Sequence, residues 1–394
     1  MSAIVDIVSP ADEREAEEIV RHAAAFGVPM EIVGGGTRRG LGRPAQTSRT
    51  VSTARLAGIT LHEPAELVIA ARAGTPLAEV EAALDAVGQR LPFEPVDMRP
   101  LLGTAGTPTI GAVAACNTAG PRRIQAGAAR DHLIGIRMVT GRGETIRSGG
   151  RVMKNVTGLD FVKLAAGAYG TLGLISEVTF KTLPRPATET TLLLEGLDDA
   201  RAIAALSAGL CSPYEVTGAA HLPGAPAQTA MRLEGFDFSV EHRATALAKL
   251  LKGFGRVSRL DPVESRMLWR EIRDAGPVIE PREHAVWRIS TRPSDGPPLV
   301  AALQDIARAH FYDWGGGLVW LAVDATGDAG AFDIRAAIKP LGGHATLVRA
   351  PDHIRIAAEV FEPLPAPLMK VTRDLKRAFD PGAVLNPGRM YAGV

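Results

Sequence analysis

Thr107-Pro108-Thr109-Ile110-Gly111-Ala112-Val113-Ala114-Ala115-Cys116-Asn117-Thr118-Ala119-Gly120 is built almost entirely from small or apolar residues and closes on short hydrogen-bonding side chains. A packed helix alone has no need of so many small residues beside Asn117 and Thr118. A flat ring laid against backbone needs both, small residues for close approach and short polar groups to fix its orientation. Upstream, a strand at Pro29 to Val33 runs into Gly34-Gly35-Gly36-Thr37. Downstream come Arg130-Asp131, an apolar strand from Leu133 to Val139, and the turn Gly141-Arg142-Gly143. Lys154-Asn155-Val156-Thr157-Gly158-Leu159-Asp160 and Gly170-Thr171-Leu172-Gly173-Leu174-Ile175 follow. Residues 103 to 173 are rich in glycine and poor in long helical periods, which points to many close turns around something large.

The loop at 34 to 42 invites a dinucleotide reading, which its spacing rejects. The Rossmann fingerprint needs glycines at i, i+2 and i+5 opening a helix. Gly34 and Gly36 are followed by Arg39, and Gly40 and Gly42 by Ala45, so neither register fits, and no Walker A sequence is present. What remains is a strand ending in bare backbone N–H groups, either a tight connecting turn or a phosphate cradle.

Around this region the elements are legible. Ser9 as cap, Pro10 at the first helical position and Asp12 as a capping-box acid start a helix with Ala16, Ile19, Val20 and Ala23 inward and Gly27 as its stop. Strands are expected at Arg49 to Ser52 and Leu67 to Ala71, and a helix from Pro76 to Val87. Leu183-Pro184-Arg185-Pro186 opposes helix and central strand alike and marks a domain boundary. Beyond it, strands at Thr191 to Leu194, Met231 to Leu233, Ala285 to Ser290 and Leu318 to Val323 mix with helices at Asp198 to Gly209, Ser239 to Lys252, Pro262 to Asp274 and Pro298 to His310. That mixture predicts an antiparallel sheet covered by helices. A last helix shows Leu368, Val371, Leu375 and Phe379 on one face and halts at Asp380-Pro381-Gly382. The expected domains are 1–184, 185–367, and a tail at 368–394 returning to the first.

Bulk properties narrow the function. A chain of 394 residues with 46% hydrophobic content has ample core for two domains. A net charge of +1 gives no excess to track a phosphate backbone, so nucleic acid is not the expected partner. No apolar run reaches the roughly 18 residues of a spanning helix. Met1 to Ser9 lacks the basic start and apolar stretch of a secretory signal, so a cytoplasmic protein is expected. Cys116 and Cys211 are too few and too distant to hold an iron–sulfur cluster or structural zinc and read as small buried hydrophobes. His284 and His310 show no metal-ligand spacing, and no metal is expected. Trp314-Gly315-Gly316-Gly317 reads as a strand-entry turn or a further phosphate loop.

Taken in order, the glycine-rich loop, Ile-Gly-Ala-Val-Ala-Ala-x-Asn, Arg-Asp, Lys-Asn-x-x-Gly-x-Asp and Gly-Thr-Leu-Gly resemble the FAD-binding domain of the vanillyl-alcohol oxidase / p-cresol methylhydroxylase (PCMH-type) superfamily. Leu385-Asn386-Pro387-Gly388-Arg389-Met390-Tyr391 resembles its C-terminal return to the flavin domain. At finer grain, with Gly342-Gly343-His344-Ala345-Thr346-Leu347, the chain is similar to the FAD-binding, E-type subunits of glycolate oxidases. The resemblance implies an α+β fold: a PCMH-type two-subdomain FAD-binding domain and an antiparallel-sheet cap domain with helices on one side. It further implies that Gly34, Gly35, Gly36 and Thr37 wrap the pyrophosphate and that Thr109, Ile110 and Gly111 approach from the other side. Ala114, Asn117 and Gly120 would line the isoalloxazine and ribityl chain, and Ile175 would meet the adenine end. Lys154 and Asn155 either touch the cofactor or hold the glycine-rich fold together. Asn386 and Arg389 would sit near the flavin ring or lock a domain interface.

Two departures from the superfamily matter. Thr37-Arg38-Arg39 stands where many members attach flavin through histidine, so FAD is expected to be non-covalent. The Gly-His-x-Gly-Asp-Gly-Asn-x-His site of related 2-hydroxy-acid dehydrogenases is absent, since His344 is followed by Ala-Thr-Leu-Val-Arg. The catalytic base is therefore unassigned, with His344 and Arg389 as candidates and a core or cleft histidine as the alternative for His344. Arg38, Arg39, Arg122 and Arg123 either stabilise an anion at the flavin or solubilise the surface. The function implied is that of a flavin subunit oxidising glycolate or a similar 2-hydroxy acid. Its partners would be a sister flavin subunit and an iron–sulfur subunit, with peripheral membrane association through them. The alternatives are a stand-alone FAD dehydrogenase and a non-catalytic assembly subunit on the same fold.

Overall fold

The computed structural model describes residues 6–150 and 160–394. Lys154 and Asn155 lie outside the described residues. The chain divides into two compact units: Met1–Ala119, Gly127–Arg185 and Pro363–Val394 form the first, and Gly120–Ala126 with Pro186–Glu362 form the second.

The first unit is built on two sheets. Asp6–Val8, Arg49–Ser52 and Met30–Val33 make a three-stranded parallel sheet with Arg49–Ser52 central. The second is five-stranded and antiparallel, in the order Ile59–Glu63, Val68–Arg72, Leu174–Lys181, Leu133–Val139, Thr145–Gly149. The unit thus has two subdomains, as the resemblance implies. The helix Glu13–Phe26 joins them. Its Ala16, Val20 and Ala23 pack with Met30 and Val51 of the parallel sheet, while Glu13 pairs with Arg137 and accepts from Ser176 of the antiparallel one. Burial pushes the Glu13 carboxyl up, but Arg137 and Ser176 outweigh it and hold it below its usual value.

That helix starts three residues later than the sequence predicts. The strand Asp6–Val8 keeps the chain extended up to Ser9, and the cap is Asp12, whose carboxylate accepts from Glu15 N at 2.9 Å. Gly27 closes it in the left-handed conformation at φ 63°.

The second unit carries one eight-stranded sheet, antiparallel throughout. Strand alternation splits its residues cleanly. Leu192, Leu194, Met231, Leu233, Trp287, Ile289, Leu321 and Leu347 face the helices Asp199–Leu210, Asp237–Leu251, Gly296–Ala302 and Ala331–Ile338 in one core. On the opposite face Pro262–Arg273 covers one end, with Trp269 donating to Thr191 Oγ1 at 2.8 Å and lying against Gly218 and Arg232.

Three further expectations give way. The helix placed at Pro298 to His310 ends at Ala302, and Ala307–Asp313 is a strand paired with Leu318–Val323. The C-terminal helix Ala366–Phe379 leaves Leu368 and Val371 half exposed and buries Lys376 instead. Cys211 is exposed, not a buried hydrophobe. Among the described residues, no helix is long and apolar enough to cross a membrane.

Candidate cofactor site

The strand Met30–Val33 ends at Gly34, and the loop that follows interlocks with the chain at 104–111. A Cβ on Gly35 would stand 1.9 Å from Thr107 O, and one on Gly34 would stand 2.2 Å from Thr109 Oγ1. A Cβ on Gly106 would meet Gly35 O at 2.1 Å, and Thr104 Oγ1 donates to Thr37 O at 2.9 Å. Only glycine permits this approach of two main chains. The helix Ile110–Cys116 then docks on Ala73–Leu77. Gly111 N donates to Ala73 O at 2.9 Å, Ile110 N donates to Thr75 O at 3.1 Å, and a Cβ on Gly111 would meet that of Ala73 at 2.5 Å.

Between these walls lies a solvent-open cleft within the first unit, about 690 Å³ of empty space when the open solvent in it is included. Gly34, Gly35, Gly36, Thr37, Gly111, Ile175, Asn386 and Arg389 line it among the residues singled out from sequence. Gly36, at φ 80°, has open space where a side chain would stand. Thr109 Oγ1 is buried beside Gly34 without a hydrogen-bond partner in the chain. A buried, unsatisfied hydroxyl beside a bare backbone turn fits a polar ligand group that completes it. The bare N–H groups of the turn and the narrow approach over Gly111 therefore suit a phosphate-bearing ligand laid against main chain.

The last residues of the unit complete the cavity wall. Leu385 bridges Met30, Asn386 Oδ1 accepts from Ile32 N at 2.9 Å, and Asn386 Nδ2 donates to Tyr169 O at 2.7 Å. Arg389 Nη2 donates to Glu31 Oε1 at 3.0 Å, and its Nη1 reaches Arg39 O at 3.2 Å. Beneath them, Lys376 Nζ donates to Thr171 O, Leu385 O and the carboxylate of Asp380, at 2.8, 2.7 and 2.7 Å. Asp380 in turn accepts from Leu385 N at 2.8 Å and Val384 N at 3.2 Å. Burial lowers the pKa of Lys376 and the Asp380 carboxylate opposes that shift.

Of the other residues singled out from sequence, Arg38 and Arg39 also line the cavity, Thr109 is buried beside Gly34 and does not line it, and the rest fall elsewhere. Ile110 and Ala114 are core residues behind the wall. Asn117 ends its helix at φ 48° and accepts from Arg130 N at 2.8 Å. Gly120 belongs to the second unit, where its carbonyl accepts from Trp314 Nε1 at 3.2 Å. Arg38 is buried, donating to Thr118 Oγ1 at 2.8 Å and Val96 O at 2.9 Å, and Arg122 is buried against Glu234. Arg39 is half exposed in an ion pair with Glu31, and Arg123 is exposed.

Sequence reasoning missed several lining residues: Ile32, Thr53, Ala73, Tyr169 and Cys116. Tyr169, at φ 53°, precedes the Gly170–Gly173 turn that had been recognised, so its neighbourhood was the available signal. Burial pushes the Cys116 thiol up, with Arg38 and Arg389 pulling against it.

In the second unit, His344 is exposed at the start of its strand. A separate cluster joins Asp199 to three strand residues: Tyr312 OH donates to Asp199 at 2.6 Å, His310 Nε2 lies at 2.9 Å and His221 Nε2 at 3.3 Å. Burial pushes the Asp199 carboxyl up, but these hydrogen bonds prevail and hold it far below its usual value.

Comparison with known proteins agrees with this geometry. Residues 6–149 match the family described as "FAD binding domain". The fold is shared with 4-ethylphenol oxidase from Gulosibacter chungangensis, with a TM-score of 0.74 at 14% identity over 98% of this chain and 89% of that one. Alkyldihydroxyacetonephosphate synthase shares it too, with a TM-score of 0.66 at 17% identity over 97% and 76%. The cradle, the paired sheets and the domain match thus define a PCMH-type FAD-binding fold. Glycolate oxidase subunit GlcE of Escherichia coli K12 is 37% identical over 375 residues, covering 95% of this chain and 96% of that protein. Glycolate oxidase subunit GlcD of Bacillus subtilis is 28% identical over 48% of this chain and 38% of its own. The chain belongs to the glycolate oxidase GlcE family.

Proposed function

We propose that this chain is the FAD-carrying subunit of a hetero-oligomeric complex that oxidises glycolate, or a close 2-hydroxy acid, to the 2-oxo acid. The observation that carries the flavin assignment is the glycine-lined cavity of the first unit. The end-to-end match to a glycolate oxidase subunit supports the substrate class. Gly34–Thr37 would receive the pyrophosphate on bare N–H groups, with Thr109 opposite. Gly111, Ile175 and Asn386 would line the remainder, while Asn386 and Arg389 hold the wall in place through chain contacts. Bound FAD accepts a hydride equivalent and returns electrons singly. The chain's own part is to position that ring and exclude water. Among the described residues no histidine lines the cavity, which supports a dissociable cofactor.

The two cysteines cannot supply an iron–sulfur cluster, which supports a partner holding such centres. A sister flavin subunit and a peripheral position on the cytoplasmic face of a membrane complete the proposal. The test is to purify the chain alone and with its co-purifying subunits. A yellow protein that releases flavin on acid precipitation, with glycolate–dye turnover only in the complex, is the expected result. Robust turnover by the chain alone would defeat the subunit assignment, and a colourless chain that takes up no FAD would defeat the flavin assignment.

A further inference from the structure

Between the helix Phe161–Ala165 and the strand Leu174–Lys181, residues 167–173 contribute Tyr169, Gly170 and Gly173 to the cleft. Their backbone is held in an unfavourable shape: Gly167, Tyr169 and Gly170 have φ of 83°, 53° and 72°. For a bulky residue such as Tyr169 that region is rarely occupied, and it persists only where the surroundings impose it. Two sets of bonds do so. Gly167 N and Tyr169 N donate to Ala114 O and Ala115 O of the helix Ile110–Cys116, at 3.1 and 2.9 Å. From the other side Asn386 Nδ2 donates to Tyr169 O and Lys376 Nζ to Thr171 O.

Lys376 is the unexpected tie. Its side chain is 4% exposed, its partner Asp380 is fully buried, and each of its three ammonium protons has an acceptor: Thr171 O, Leu385 O and the Asp380 carboxylate. Leu385 is bridged to Met30 and precedes Asn386, which lines the cleft. One ammonium thus fastens together two remote stretches of main chain that wall the same cleft. Asp380 has no room to shift, since a Cβ on Gly141 would stand 2.2 Å from its Oδ1. A buried ion pair is a weak source of stability, because an apolar pair of similar volume often does as well or better. What the ammonium adds, and an apolar side chain would not, is a fixed spacing between two backbones.

We infer that Lys376 is a positioning residue of the flavin site. It does not line the cleft. Through Thr171 O and Leu385 O it sets how far apart the wall at 169–173 and the wall at 386–389 stand, and with that spacing the affinity for FAD. The role rests on the assignment of this cleft to the cofactor.

The test is fluorescence titration of FAD into the full chain stripped of flavin. Lys376→Met keeps the length of the side chain and removes its donors, and should weaken FAD binding about tenfold or more. Asp380→Asn, which keeps an oxygen for the Leu385 amide, should shift affinity in the same direction. Leu84→Ala opens a hole in the core beside the five-stranded sheet; it should lower the denaturant midpoint yet leave the FAD dissociation constant within about twofold. Far-UV circular dichroism establishes that each variant is folded. A second measurement needs no variant: in the wild type, FAD should slow amide hydrogen exchange over residues 376–385, none of which lines the cleft. Unchanged affinity in folded Lys376→Met, an equal loss in Leu84→Ala, or exchange over 376–385 indifferent to FAD would each overturn the role while leaving the flavin assignment intact. A wild-type chain that takes up no FAD would refute that assignment, and the role would fall with it.

Discussion

The two units are held together in opposite ways. In the first, the cavity wall is largely main chain: Gly34, Gly35 and Gly111 are bare because a neighbouring segment occupies the space a side chain would need. The charged groups that border it, Arg38, Arg39 and Arg389, are tied to the chain itself. In the second unit the backbone serves as scaffold and side chains make the contacts: Asp199 gathers Tyr312, His310 and His221, and Arg123 and Arg288 lie over the Trp314 ring. The first unit is therefore damaged by adding atoms and the second by removing them.

The largest effect expected from this contrast is at Gly35. Gly35→Val places carbon where Thr107 O already stands, and purified protein should carry less than about a tenth of the wild-type flavin by its 450 nm to 280 nm absorbance ratio. Full flavin content in that variant would break the backbone half of the comparison. Next comes Asp380→Ala, which strips the carboxylate from buried Lys376 and from two backbone donors. Removing one member of a buried ion pair costs about 3–5 kcal/mol, read as a lowered denaturant midpoint. A change under about 1 kcal/mol would show that the C-terminal wall is held by something else.

A smaller loss, about 1–3 kcal/mol, is expected for Asp199→Asn in the second unit, where side chains do the holding. Because the folded-state pKa of Asp199 lies below its unfolded value of about 3.9, its contribution is complete above that pH and fades as pH falls further. Acid titration of stability should therefore separate wild type from variant at neutral pH and bring them together in acid. Parallel curves across the whole range would exclude this linkage. The smallest effect is kinetic. Exposed Cys211 should react with a maleimide well before Cys116, whose thiol is buried, and added FAD should slow only the second phase. Equal rates would contradict the placement of Cys116 in the cavity wall.

Much of this architecture was legible without coordinates. Arg49–Ser52, Leu133–Val139, Ala285–Ser290 and Leu318–Val323 are the strands the sequence predicts, because short β-branched or aromatic runs bounded by turn residues have one good interpretation. The 298–310 stretch misled because Pro297-Pro298 suits a helix start and the alanines that follow suit its continuation. The alternation through Ala307, Ala309 and Phe311 was hidden among them. In the C-terminal helix nothing in the sequence signals the burial of Lys376, because only the distant carbonyls of Thr171 and Leu385, with Asp380, make it favourable. Glycine runs told where the cavity would be, but not that Tyr169 and Ala73 would border it. Those contacts depend on pairings between remote segments.

One consequence concerns synthesis. Asn386 is hydrogen-bonded to Ile32, 354 residues earlier, and Arg389 to Glu31, 358 residues earlier. During translation the parallel sheet and the glycine turn leave the ribosome long before the segment that seals them. A chain that has not yet emerged as far as Asn386 and Arg389 has an open-sided pocket, so a stop codon placed before Asn386 should yield cofactor-free protein even though Gly34, Gly35, Gly36 and Gly111 are in place.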